Sequence, residues 1–395
     1  MTILVTGADG YIGWPTSLRI ASRTDDRVIL VDNFARREWV DEIGSVSATP
    51  VHSIESRLEA AREVHGLRNL SFVEGDLTNK DFTDELLEVH EPDAIVHAAA
   101  QPAAPYSQIN GERANYTQHN NMQATRNLLW GLEEHDLTDT HFVETTTTGV
   151  YGAPEFPIPE GGAVMENDGE RDDVPFPAMA GSWYHLSKSH DAANMRLANK
   201  QFDIPVSDVR TAITYGTETE ETRADERLKT RFDFDYYFGT VGHRFCAQAV
   251  AGYPVTVYGK GEQRKPFVSL EDAVEGLAEL ALTEPEERDA DDDGVVVYNQ
   301  TTRAISIVEI AETIAGVGDE FDLDVAVEHF ENPRDEDETH KMEIEDDRYA
   351  DLIGEQAQSF EDGVQDIFET LTRYADTIEA HEDRFLPGVL EESED

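Results

Sequence analysis

Ile3-Leu4-Val5-Thr6-Gly7-Ala8-Asp9-Gly10-Tyr11-Ile12-Gly13 runs an apolar strand into a turn with a glycine at every third position. Helical spacing takes over at once, from Trp14 to Arg23. Such a turn needs glycine where φ is positive and where the backbone must come close to a ligand. The helix start then offers amide donors and a partial positive charge, which suit a pyrophosphate. Gly7, Gly10, Tyr11, Ile12 and Gly13 are therefore the first candidate dinucleotide contacts.

Outward from this turn, the remaining strand candidates are Val28–Val31, Leu70–Val73, Ala94–Ala98, His141–Glu144, Val206–Val209 and Val295–Tyr298. Helical spacing separates most of them, as in Asp81–Val89, Met122–Leu132 and Leu270–Leu282. Strands alternating with helices predict the α/β class, a Rossmann-type doubly wound parallel sheet. The stretch from Asn33 to Asn69 is long for one connection and predicts a lobe of its own. From Thr211 the pattern breaks into aromatic pieces such as Phe232-Asp233-Phe234-Asp235-Tyr236-Tyr237-Phe238, and helical spacing returns in Ile305–Ala315 and Phe360–Ile378. The expected division is a dinucleotide-binding domain of residues 1–210 and 266–300, a smaller α/β substrate lobe of residues 211–265 and 301–388, and an acidic tail, 389–395. Glu284–Asp293 reads as a solvated acidic loop.

The second strand candidate ends in Val31-Asp32-Asn33, nineteen residues beyond Gly13. A carboxylate there accepts hydrogen bonds from ribose hydroxyls and repels a 2′-phosphate, so NAD is expected over NADP, with Arg36 and Arg37 close by. Asp76 and Leu77 follow the third strand and Ala98-Ala99-Ala100 the fourth, where small side chains leave room across the sheet edge.

The 395 residues carry 83 acidic against 31 basic side chains, a net charge of −52, and only seven lysines. Nucleic acid and anionic membrane surfaces are poor partners for such a chain. Acid spread along the whole length reads as solvation in a salt-rich cytoplasm. The single cysteine, Cys246, excludes an internal disulfide and Cys-based metal sites; no metal is expected. No leader segment and no apolar run of about 20 residues is evident, so a cytoplasmic protein is expected.

Tyr184-His185-Leu186-Ser187-Lys188 places a phenol and an ammonium on one helix face. A phenol titrates near ~10, and bringing it to neutrality takes about 4 kcal/mol, which an adjacent cation helps to supply. Thr147, at the end of the fifth strand, adds a hydroxyl aimed at the same substrate oxygen. Thr147, Tyr184 and Lys188 behind a ribose-binding acid make a hydride-transfer set. An intact set of this kind argues against a silent dinucleotide-binding regulator. Further on, Gln263-Arg264-Lys265, and Arg334 in Asn332-Pro333-Arg334, concentrate scarce positive charge and suit a substrate diphosphate.

Taken together, the GxxGxxG turn, Asp32, Thr147 and the YxxxK pair resemble the extended short-chain dehydrogenases that act on nucleotide sugars, the NAD-dependent epimerase/dehydratases. Within that family, Ala104-Pro105-Tyr106-Ser107, Tyr116-Thr117-Gln118-His119-Asn120-Asn121, Trp183 through His190 and Arg244-Phe245-Cys246-Ala247-Gln248 are similar to the UDP-sulfoquinovose synthase branch. The resemblance runs from residue 1 to about 340. It implies bound NAD, with Asn33, Arg36, Tyr184 and Lys188 among its contacts, a UDP-sugar, sulfite as co-substrate, and a homodimer. It implies that Tyr184 takes the proton of the sugar 4-hydroxyl, that Gln101, Tyr106, Thr148 and Arg244 touch substrate, and that Gln263, Arg264, Lys265 and Arg334 face the UDP. His185 is implied at the sulfite or C6 end. Two positions depart from the branch: Val150 replaces an acid and Pro102 an arginine. A 4-epimerase, which needs only oxidation and hydride return, is the rival expectation.

Overall fold

The computed structural model describes residues 1–176, 178–284, 294–331, 342–354 and 358–387. Its frame is built from β1 (Thr2–Thr6), α1 (Gly13–Arg23), β2 (Arg27–Asp32), α2 (Ala35–Glu42), α3 (Ile54–Val64), β3 (Leu70–Glu74), α4 (Lys80–His90), β4 (Ala94–His97), α5 (Ala104–Ser107), α6 (Gly111–Glu134) and β5 (His141–Thr147). An exposed hairpin follows, β6 (Gly162–Asn167) and β7 (Glu170–Pro175), and then α7 (Trp183–Phe202) and β8 (Val206–Thr211). Farther along come β9 (Ile213–Tyr215), β10 (Val255–Tyr258), β11 (Arg264–Ser269) and β12 (Val295–Gln300).

Seven strands pair in the order β12-β8-β5-β4-β1-β2-β3, every neighbour parallel. This is the expected doubly wound sheet. Its order reverses between β1 and β4, and the carboxyl ends of the strands open there into a crevice. The strands read as continuous apolar runs because both faces are covered. Val5 packs with Trp14, Leu18 and Leu277 on one face; Leu4 packs with Ile29, Ile95 and Leu128 on the other. A second core, away from the sheet, gathers Phe232, Phe234, Phe245, Val255, Ile310 and Phe368, with the buried thiol of Cys246 among them.

Two expectations need correction. The stretch from Asn33 to Asn69 is not a lobe of its own: Ile54, Ala60 and Ala61 of α3 join the core beneath β1, while Trp39, Val40 and Ile43 pack with Tyr106 and Phe238. Two short helices have too little apolar surface to form a separate core. The helix read from Met122 begins at Gly111, capped by the Asn110 side chain, which accepts from the amide of Arg113 at 2.9 Å. Its first half is polar, so apolar spacing is silent there. The acidic run beyond Glu284 and the tail 389–395 lie outside the described residues. Among the described residues no helix is long and apolar enough to cross a membrane, and no group of His, Cys, Asp and Glu could hold a metal.

Candidate active site

A cavity of about 1420 Å³ lies at the carboxyl ends of the parallel strands, between the sheet and the second core. Pockets for one small ligand run to roughly 300–1,000 Å³, so this one has room for two.

One half is built from backbone. Gly7 has φ +71°, and a Cβ there would lie 2.7 Å from the Ala98 carbonyl. A Cβ on Gly13 would lie 2.2 Å from the Gly7 oxygen, so neither position tolerates a side chain. Gly10, Tyr11, Ile12, Asn33, Arg36, Asp76, Leu77, Ala98 and Ala99 all line the cavity beside them. Asp32 closes β2, its carboxylate accepting from the amides of Asp9 at 2.9 Å and Phe34 at 2.7 Å. Burial pushes Asp32 up to about 6.

An ion cluster that the motif reading missed braces this turn. Asp9 is buried and takes both nitrogens of a bidentate Arg37 at 2.7 Å, and Nη1 of the fully buried Arg57 at 2.9 Å. The Arg57 guanidinium lies 4.1 Å above the Trp14 ring. Arg36 is paired with Asp233 at 2.6 Å and lies 3.8 Å over Phe238. Both arginines near Asp32 thus have carboxylate partners, which fits a ribose without a 2′-phosphate.

The other half is built from side chains. Thr147 ends β5, its hydroxyl accepting from the Gly149 amide at 3.1 Å. Ser182 caps α7 by accepting from the His185 amide at 3.1 Å, and the Tyr184 amide donates to Ser107 Oγ at 3.2 Å, which fixes the first turn. Tyr184 comes within hydrogen-bonding range of Thr147; burial raises its proton affinity, and the Lys188 ammonium one turn on pulls against that rise. Lys188 is buried and donates to Glu144 Oε1 at 3.0 Å. His185 fills the place of the missing side chain of Gly149: a Cβ there would sit 2.3 Å from its Nε2.

The cavity gathers Thr147, Thr148, Tyr184, His185, Lys188, Arg244, Gln263 and Lys265. It does not gather Gln101, Tyr106 or Arg264. Gln101 is fully buried behind the wall, its backbone held by Asn121 and its Oε1 by Thr117. Tyr106 packs in the core with Trp39 and Phe238, and its hydroxyl donates to Glu42 at 3.0 Å. Arg264 faces away because side chains alternate along β11; it pairs with Glu309 at 3.0 Å. Arg334 lies outside the described residues. Val150 points into a small apolar cluster with Tyr151, Ile158 and Phe176, whereas Pro102 lines the cavity. Tyr236, Phe238 and Tyr258 also line the cavity; for the first two, the aromatic run around Phe232 was the signal.

Residues 3–297 match the NAD dependent epimerase/dehydratase family. The chain belongs to that family. It is 40% identical to UDP-sulfoquinovose synthase from Sulfolobus acidocaldarius over 86% of this chain and 84% of that protein. It is 35% identical to the chloroplastic UDP-sulfoquinovose synthase of Spinacia oleracea over 98% of this chain and 78% of that protein. Among solved structures, the UDP-glucuronic acid 4-epimerase of Bacillus cereus, in complex with UDP-glucuronic acid and NAD, superposes with a TM-score of 0.68, covering 94% of this chain and 99% of that one. At 20% identity this is a likeness of fold. The epimerase/dehydratase family is NAD-dependent, and the residues fit the group: a glycine cradle that a Cβ would fill, a carboxylate lining the cavity at the end of β2, and a floor of alanines.

Proposed function

We propose that this protein forms UDP-sulfoquinovose from UDP-glucose and sulfite with bound NAD. The observation that carries the reading is the convergence of Thr147, Tyr184 and Lys188 with the glycine cradle in one cavity, in a chain similar to two such synthases along most of its length. Gly7, Gly10, Gly13, Asp32 and Asp76 would hold NAD, which would supply a reversible hydride acceptor for C4. Tyr184 accepts the proton of the sugar 4-hydroxyl, Thr147 steadies the 4-oxygen, and Lys188 stabilises the phenolate. The ketone acidifies the C5 hydrogen; C5 loses a proton, C6 loses its hydroxyl as water, sulfite adds to C6 of the enone, and C5 takes a proton back to restore the 4-ketone. Tyr184 then returns its proton as the 4-oxygen becomes a hydroxyl again.

Elimination of water from C6 needs a proton donor. Val150 faces an apolar cluster and positions 148 and 149 are Thr and Gly, so no carboxylate of that segment serves. His185, over Gly149, takes that place in our reading. Gln263, Lys265 and Arg244 hold the diphosphate, and the elements around the second core form the sugar lobe. We also read the protein as a cytoplasmic, salt-adapted homodimer, paired through α6 and α7, where Trp130 and Leu197 are 47% and 52% exposed.

Incubation with NAD and UDP-glucose, with and without sulfite, tests the reaction by mass spectrometry. A sulfonated nucleotide sugar that requires sulfite is expected. UDP-galactose as the sole product in both tubes overturns the reading in favour of a 4-epimerase.

A further inference from the structure

Behind Tyr184, three ionisable groups are packed together out of contact with water. Lys188 of α7, Asp191 one turn on and Glu144 of β5 are each at most 1% exposed. Lys188 Nζ lies 3.0 Å from Glu144 Oε1 and 3.6 Å from Asp191 Oδ2. Two buried carboxylates facing one ammonium leave a net negative charge in a place that cannot solvate it. Hydrogen bonding points the same way. Glu144 receives weak bonds from Thr125 of α6 at 3.3 and 3.4 Å. Both Asp191 oxygens are buried; Thr125, Lys188 and the Glu144 carboxyl come close to them, yet among the described residues none makes a hydrogen bond of ordinary geometry. A proton held between the two carboxyl groups would supply the missing donor and neutralise the cluster.

The neighbours do not offer another source of positive charge. His97 of β4 is buried beside Lys188, which together with burial keeps it neutral, and its Nδ1 is engaged with Thr6 at 2.7 Å. On β8, Asp208 already has Arg210 at 3.0 Å and the Thr146 hydroxyl. Tyr184 completes the ring of groups around Lys188.

We propose that Glu144 and Asp191 share one proton and thereby keep Lys188 electrostatically available to Tyr184, which makes Glu144 a positioning residue for the oxidation step. While the proton is present, the cluster of Lys188 and the carboxyl pair is neutral. Once it is lost, a net negative charge stands behind the phenol, opposes its ionisation, and closes the reaction on the alkaline side. Burial raises the proton affinity of both acids, the Asp191 charge adds to the rise at Glu144, and Lys188 works against it in each. The proposal rests on Tyr184 being the base of the reaction above.

Two measurements separate the shared proton from the reaction. In the wild-type protein without substrate, the infrared spectrum at neutral pH should show a protonated-carboxyl band that shifts in D2O and disappears in Glu144→Gln; its absence overturns the proposal. The absorbance of Tyr184, isolated as the difference from Tyr184→Phe, should titrate about one pH unit lower in Glu144→Gln and in Asp191→Asn, because a buried negative charge has been removed. In turnover, the alkaline limb of the pH profile should move upward in either variant. An unshifted phenol titration, or a uniform loss of activity with an unchanged profile, assigns Glu144 a merely structural role and overturns the proposal. A shared-proton band with no sulfonated product would instead sink the reaction and spare the carboxyl pair.

Discussion

The two halves of the cavity are built by different means. On the cofactor side, contact is made by backbone: Gly7 against Ala98, Gly13 against Gly7, and an Asp9 carboxylate clamped by Arg37 and Arg57. On the sugar side, the wall is assembled from side chains that arrive from β5, α7, β11 and the helix Val241–Val250. The first half is over-determined, since a single added methyl collides with main chain. The second half can be retuned residue by residue. The comparison implies that mutations on the cofactor side act through stability and cofactor retention, and those on the sugar side through turnover and substrate affinity.

The strongest break is Tyr184→Phe. Removing the phenolic proton acceptor should cut kcat by about 10³-fold or more while leaving NAD content and melting temperature close to wild type. Loss of NAD in that variant would blur the division between the halves. Asp9→Ala sharpens it from the other side. Arg57 would keep its charge at 0% exposure without a carboxylate beside it, and chemical denaturation should show a loss of about 3–5 kcal/mol. A loss within 0.5 kcal/mol would remove Asp9 from its bracing role.

A third contrast lies within one strand. Lys265→Gln should raise KM for UDP-glucose about 20-fold, the scale of a lost charge-assisted hydrogen bond, whereas Arg264→Gln should stay within about twofold. Equal effects would show that β11 presents its cations differently. A smaller effect than that of Lys265→Gln concerns Asp32, which burial pushes up to about 6. Its carboxylate is the form that accepts from ribose, so the interaction is complete above that value and fades as pH falls through it. NAD affinity should drop up to about tenfold between pH 7 and pH 5, and the drop should vanish in Asp32→Asn.

The sheet and the cofactor half were legible in the sequence for the reason that makes them rigid. A turn that needs glycine at three positions writes its demand locally, and buried parallel strands write theirs as apolar runs. The sugar half is written across distant segments, so its residues can be named but not aimed. Tyr106 was expected at substrate and is a core aromatic. Gln101 was expected there and is a buried strut between Asn121 and Thr117. Arg264 faces outward, and here period-two alternation with Gln263 and Lys265 was a readable signal. The Asp9, Arg37 and Arg57 cluster could not be seen without coordinates, because Arg57 meets Asp9 from 48 residues away. Glu144 was invisible for a similar reason: nothing in the sequence says that it and Asp191 close on the same ammonium.

Hydrogen exchange at C5 of the sugar addresses the central claim most directly. With NAD and UDP-glucose in D2O and no sulfite present, the recovered UDP-glucose should carry deuterium at C5, and Tyr184→Phe should abolish the exchange. UDP-galactose without C5 deuterium, or deuteration undiminished in Tyr184→Phe, would contradict oxidation at C4 by this phenol as the step that opens the C5 and C6 chemistry.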